Sequence, residues 1–129
     1  MNKVRFAVID DAAFIRELII ANLNTDGHSC VAEAGSIADA IPLVMGTLPD
    51  VVFLDLVMPG RNGIDGARML KDIWPETKII LCTTVDDKSL LERAVDNGVD
   101  FIIQKPFEKK ELVAALNSVM NDLNKGATP

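Results

Sequence analysis

The chain has 129 residues, 49% of them hydrophobic, which is enough for one sizeable core and too little for two ordinary ones. Nineteen acidic against thirteen basic residues leave a formal charge of -6, which opposes direct binding to nucleic-acid phosphates and to anionic membrane surfaces. The apolar run at 4–9 is short and is broken by Asp10 and Asp11, so it is neither a signal peptide nor a membrane span, and a cytoplasmic protein is expected.

Short apolar runs alternate with helix-period segments five times along the chain, the pattern of a βα repeat. VRFAVI is the first strand, followed by a helix over 13–24 that Gly27 ends. His28, next to that glycine, reads as a surface loop residue. CVAEA is the second strand, and a helix over 36–47 follows, opened by Ser36 and Asp39 in capping-box spacing. Pro42 lies inside it, where a missing backbone donor costs about 3 kcal/mol, so a kink or break is predicted. VVFLD is the third strand, and the helix over 64–73 is stopped by Pro75, with Trp74 as core or core-edge packing. KIILCT, a helix over 88–97 ended by Gly98, DFIIQ, and a helix over 109–123 complete the series. VRFAVI, VVFLD and KIILCT are almost continuously apolar and should form the centre of a parallel sheet covered on both faces. Cys30 and Cys82 lack CxxC or His-rich spacing and read as buried free thiols in a reducing compartment. NKGATP at the C-terminus should fray, giving a domain over 1–124 and a tail or linker stub over 125–129.

Polar chemistry collects at the strand ends. Asp10 and Asp11 close the first strand and Asp55 the third, and all strand C-termini of a parallel sheet share one edge. Open α/β sheets bind ligands at that edge where the winding reverses, which in the common order 2-1-3-4-5 lies between strands one and three. Carboxylates about 4 Å apart repel by roughly 4 kcal/mol at an effective dielectric near 20, so the trio should bind a cation or raise a pKa. All-oxygen ligation suits Mg²⁺, which also takes phosphate oxygens. Thr83 closes the fourth strand with a hydroxyl and Lys105 the fifth with a point charge. Asp55 as nucleophile, Mg²⁺ and Lys105 as charge neutralisers, and Thr83 as a hydrogen-bond donor form a set for phosphoryl transfer to an aspartate.

IDDAAFIR, FLDLVMPGRNG, CTT and QKPF, in this order, resemble the receiver domain of two-component response regulators, and the likeness covers almost the whole chain. The resemblance implies a flavodoxin-like (βα)5 fold, a doubly wound parallel sheet of order 2-1-3-4-5. It implies that Asp55 accepts a phosphoryl group from a phosphohistidine of a sensor histidine kinase or phosphotransfer protein. Asp11 and Asp55 would ligate Mg²⁺ directly, Asp10 through a water, and the backbone carbonyl of Val57 would complete the protein ligands. The Lys105-Pro106 bond would be cis. The family's switch pairs the threonine with an aromatic three residues before the lysine. Here that position is Ile102, while Phe101 has the opposite strand parity. DDAAFIR is similar to chemotaxis receivers in particular.

The expected role is a signalling switch that catalyses its own phosphorylation and dephosphorylation, not an enzyme with a separate substrate. Its output would be protein contacts of the fourth helix, fifth strand and fifth helix, from a monomer or a phosphorylation-dependent dimer, without direct contact to nucleic acid or membrane. An aspartyl-phosphate phosphatase would carry a second acid at Val57, and a flavin-binding relative would need a hydroxyl- and glycine-rich loop where DDAAF stands. A receiver that binds without phosphorylation would not need the full set of acids with Thr83 and Lys105.

Overall fold

The three continuously apolar runs form the middle of one parallel sheet. In the computed structural model, which describes residues 3–60 and 62–127 with side chains through residue 121, β1 (Arg5–Ile9), β3 (Val51–Asp55) and β4 (Lys78–Thr83) are flanked by β2 (Ser29–Ala34) and β5 (Phe101–Gln104). The order is β2-β1-β3-β4-β5, the flavodoxin-like winding, and every pairing is parallel. Five helices connect and cover the strands: α1 (Ala13–Thr25), α2 (Ile37–Thr47), α3 (Gly63–Ile73), α4 (Lys88–Asp96) and α5 (Lys109–Ala127). Among the described residues, no helix is long and apolar enough to cross a membrane.

Strand alternation sorts the core into two layers. Phe6, Val8, Val51, Phe53, Ile80 and Ile103 pack with Ile19 and Leu23 of α1 and with Leu112 and Leu116 of α5. Ala7, Ile9, Val52, Leu54, Ile79 and Leu81 pack with α2, α3 and α4 on the other face. A buried sheet residue must therefore be apolar on both faces, which is why these strands show little polar alternation. Phe6 and Phe53 meet edge-to-face across the first layer, with ring centroids 6.0 Å apart.

Local chemistry sets the helix ends. Ser36, Asn62 and Asp87 each accept a hydrogen bond from a backbone N–H three residues on, capping α2, α3 and α4. Gly27 and Gly98 take the positive φ that the turns after α1 and α4 require. α5 continues past position 123, where its end was expected, to Ala127, and the last two residues of the expected tail lie outside the described residues.

Two expectations fail for identifiable reasons. The break expected at Pro42 does not occur, and α2 runs on through it. Both Pro42 and Ala38, whose carbonyl loses its partner, lie on the solvent side, so water can satisfy the freed oxygen while Ile37, Ala40 and Val44 anchor the opposite face. His28 is buried, 7% exposed, instead of lying in a surface loop. Its Nδ1 accepts the Val4 N–H at 3.0 Å, and the Ser29 N–H bonds the Val4 carbonyl, so it is part of the seam where β1 and β2 begin. Both cysteines are free, with Cys82 buried and Cys30 partly so.

Candidate functional site

The carboxyl edge of the sheet gathers the acids. Asp55 is the last residue of β3 and Asp10 follows β1 directly, and strands β1 and β3 are neighbours with Ile9 opposite Leu54. Asp10 and Asp55 are buried, at 2% and 8% exposure, whereas Asp11 is exposed. One carboxylate oxygen from each of Asp10, Asp11 and Asp55 lies within 4.8 Å of the others.

A single ammonium reaches both buried acids. Lys105, just past β5, places Nζ 2.8 Å from Asp10 Oδ2 and 3.3 Å from Asp55 Oδ1. Burial alone would lower its pKa, but the hydrogen bond to Asp10 and the attraction of Asp55 and Asp10 outweigh that and hold the pKa above its ordinary value. The Lys105-Pro106 peptide is cis. Asp55 moves in the opposite sense from an ordinary ion-paired acid. Burial first, and the charge of Asp10 second, raise its pKa against the opposing pull of Lys105. Asp10 has a second partner, since its Oδ1 accepts the Ala12 N–H at 2.9 Å.

Thr83 ends β4 and is 1% exposed, whereas its neighbour Thr84 is exposed. Its Oγ1 accepts the Val85 N–H at 2.9 Å, which leaves the hydroxyl proton to donate elsewhere, and its carbonyl accepts the Lys105 N–H at 2.7 Å. Cys82 pairs in register with Asp55, but burial pushes its thiol up to about 12, so it stays protonated and inert at neutral pH. Val57 lies on the loop beyond Asp55, 64% exposed, and its N–H approaches Asp55 Oδ1 at 3.4 Å. Ile102 packs in the α2–α4 layer with Val85, Leu90 and Leu91, and Phe101 in the α1–α5 layer, as their parity requires.

Two contributors carry no role in the sequence reading above. Gly63 opens α3 with its N–H on the Leu56 carbonyl at 2.6 Å, and a Cβ there would collide with the Asp55 carbonyl oxygen and the Leu56 Cα. The glycine that closes D-L-V-M-P-G-R-N-G is therefore what lets α3 begin against the strand that ends in Asp55. Arg16 bonds the Asp10 carbonyl through Nη1 at 2.6 Å and Glu33 Oε1 through Nε at 2.8 Å. The signal for Arg16 was its isolation, because it is the only lysine or arginine between Arg5 and Arg61.

The donor set fits a hard divalent cation. Three carboxylates face one ammonium, and among the described residues every hydrogen bond and ion pair on the Asp55 side chain falls on Oδ1. Carboxylate and carbonyl oxygens are the ligands that Mg²⁺ takes.

The response regulator receiver domain family model matches residues 6–117. The chemotaxis protein CheY of Thermotoga maritima is 33% identical over 115 residues, covering 89% of this chain and 96% of that one. CheY of Bacillus subtilis is 33% identical over 117 residues, covering 91% and 98%. Among solved structures, the signal receiver domain of the response regulator NarL from Mycobacterium tuberculosis superposes with a TM-score of 0.85 at 30% identity, covering 96% of this chain and 98% of that one. The chain belongs to the receiver domain family of two-component response regulators.

Proposed function

We propose that Asp55 is the phosphoacceptor of a CheY-like switch, taking a phosphoryl group from a phosphohistidine of a sensor histidine kinase or phosphotransfer protein. The observation that carries this reading is the convergence of Asp10, Asp11 and Asp55 with Lys105 and Thr83 at the β1–β3 edge. Asp55 Oδ2, free of hydrogen bonds among the described residues, is the attacking oxygen. An O–P bond forms to it as the N–P bond of the donor breaks, and the leaving imidazole takes the electron pair. Lys105 trades its contact with the carboxylates for a phosphoryl oxygen, and the Thr83 hydroxyl donates to another. Asp11, Asp55 and the Val57 carbonyl would hold Mg²⁺ with Asp10 acting through a water, and the ion would neutralise charge on the transferring group. The group is transferred to the domain itself, so the protein acts as a switch more than as an enzyme with a separate substrate.

The switch elements are Thr83 and the loop it begins, with Ile102 beside it. Output through the α4–β5–α5 face is supported by a groove of about 460 Å³ on its α4–β5 part, where Leu91, Val95 and Ile102 are lined up with the charged Asp86, Lys88, Glu92 and Asp96. The partner is a protein, and the domain acts as a monomer or as a dimer that phosphorylation promotes.

Intact mass after incubation with Mg²⁺ and acetyl phosphate tests the reading. One added phosphoryl group on the wild type, not formed when Mg²⁺ is chelated beforehand and absent from Asp55→Asn, is the expected result. An unmodified wild type that also releases no phosphate under turnover refutes it.

A further inference from the structure

The Asp11 carboxylate receives no hydrogen bond among the described residues, so its place beside Asp10 and Asp55 depends on the backbone that carries it. That backbone is held at three points. The Asp10 N–H bonds the Ala34 carbonyl at 3.0 Å, the Ala12 N–H bonds Asp10 Oδ1, and the Asp10 carbonyl accepts Arg16 Nη1 at 2.6 Å. The third fixes the peptide between the two acids. A planar trans peptide turns as one unit, so a held carbonyl also sets the direction from which Asp11 springs.

We infer that Arg16 is a positioning residue for the cation site, a guanidinium that orients the Asp10–Asp11 peptide while Glu33 keeps it off the carboxylates. A cation six residues from Asp10 would be drawn to the acids if free, and there it would compete with a metal. Glu33 takes its Nε at 2.8 Å, with the two side chains 20% and 44% exposed, and the fixed fork of the guanidinium commits Nη1 to the carbonyl. Partners of this kind, one shell beyond the ligands, change metal affinity by about 10–100-fold when removed.

The inference rests on reading the acids as a Mg²⁺ site, and the sign of one substitution separates it from simple electrostatics. Removing a positive charge near an acidic cluster should tighten divalent binding, whereas removing a positioning bond should weaken it. Mg²⁺ titration of the full chain, followed by the amide shifts of residues 10–12 and 55–57, is run on wild type, Arg16→Gln, Arg16→Lys and Arg5→Gln. Arg5 is the control, because it also clamps backbone carbonyls, those of Thr47 and Leu48, but at the opposite end of β1. Arg16→Gln should bind Mg²⁺ at least about 10-fold more weakly. Arg5→Gln should lose melting temperature without losing Mg²⁺ affinity. Arg16→Lys keeps the charge and lacks the fork, so weaker binding there supports the inference even if Arg16→Gln does not fold. Wild-type or tighter affinity in either Arg16 variant overturns it. A wild type that shows no Mg²⁺ response overturns the site reading as well, which distinguishes the two failures.

Discussion

Asp55→Asn should stabilise the metal-free protein, which is an unusual effect for a substitution at a buried polar site. At 4.8 Å and an effective dielectric of about 20, Asp55 repels each of Asp10 and Asp11 by about 3.5 kcal/mol, and exposure of Asp11 reduces its share. Against this stands the attraction of Lys105, about 5 kcal/mol by the same arithmetic at 3.3 Å. Burial of the Asp55 charge adds to the unfavourable side. The balance favours the amide by about 1–2 kcal/mol, or roughly 4–8 °C in Tm for a chain of this size.

The pH dependence carries the sign. Asp55 has its pKa raised above 3.8 by burial and by Asp10, so it binds a proton more tightly folded than unfolded. Its destabilisation is complete above that raised value and is relieved as pH falls toward 3.8. The advantage of the Asn variant should thus be largest at neutral pH and shrink in acid. Calorimetric melts with a chelator, at pH 7 and again near pH 4, measure it. Added Mg²⁺ should raise the wild-type Tm and close the gap, because an ion that binds only the folded state stabilises it. A variant no more stable than wild type without metal, or one stabilised by Mg²⁺ as much as wild type, would refute the charge argument.

Gly63→Ala should cost about 1–3 kcal/mol in urea unfolding, because its methyl must displace the Asp55 carbonyl, and phosphoryl uptake should slow with it. A wild-type midpoint would show that α3 can shift freely there. Pro42→Ala should raise stability by up to about 3 kcal/mol, since it restores a helix bond on a face where the ring buries nothing. Unchanged stability would mean that the ring's effect on the unfolded chain offsets the bond. His28 has its pKa lowered from 6.5, by burial first and by Lys3 second. Stability supplied by its neutral ring is complete above 6.5 and is lost as pH falls through the lowered value. An imidazole titration by NMR should show a midpoint below 6.5, and one at or above it would contradict the Val4 bond.

The strands were legible because a parallel sheet covered on both faces admits almost no polar residue, so VVFLD and KIILCT announce both their depth and their end. The acids at 10, 11 and 55 were legible for the same reason, as charges where an apolar run stops. His28 was not, because its burial depends on Val4, a partner 24 residues away that no local pattern indicates. Pro42 misled in the other direction. Propensity prices the lost bond, but the outcome depended on which side of the helix the freed carbonyl faces, and that is a tertiary fact. Arg16 closes the IDDAAFIR stretch, yet its contact there is with the Asp10 backbone carbonyl, and sequence spacing marks side chains more readily than it marks main-chain acceptors.

Charge alone does not distinguish a functional edge in this fold, since both ends of the sheet have it. At the amino edge Lys71 meets Asp100 at 2.9 Å, and Asp100 also accepts the Ile79 N–H, so the charges cancel one to one and the leftover acceptor capacity is used by the backbone. Burial lowers the His28 pKa there, and its Nδ1 accepts the Val4 N–H. Such an edge is complete without a ligand. At the carboxyl edge one ammonium serves two buried carboxylates with a third alongside, and among the described residues no second cation pairs with these carboxylates, since the nearby Arg16 is committed to the Asp10 carbonyl and Glu33. Folding alone does not balance that charge, and an apolar replacement would relieve it. On the proposed function, a divalent ion and the phosphoryl group it accompanies would supply the missing positive charge and the atom for Asp55 to attack, and the amino edge would have use for neither.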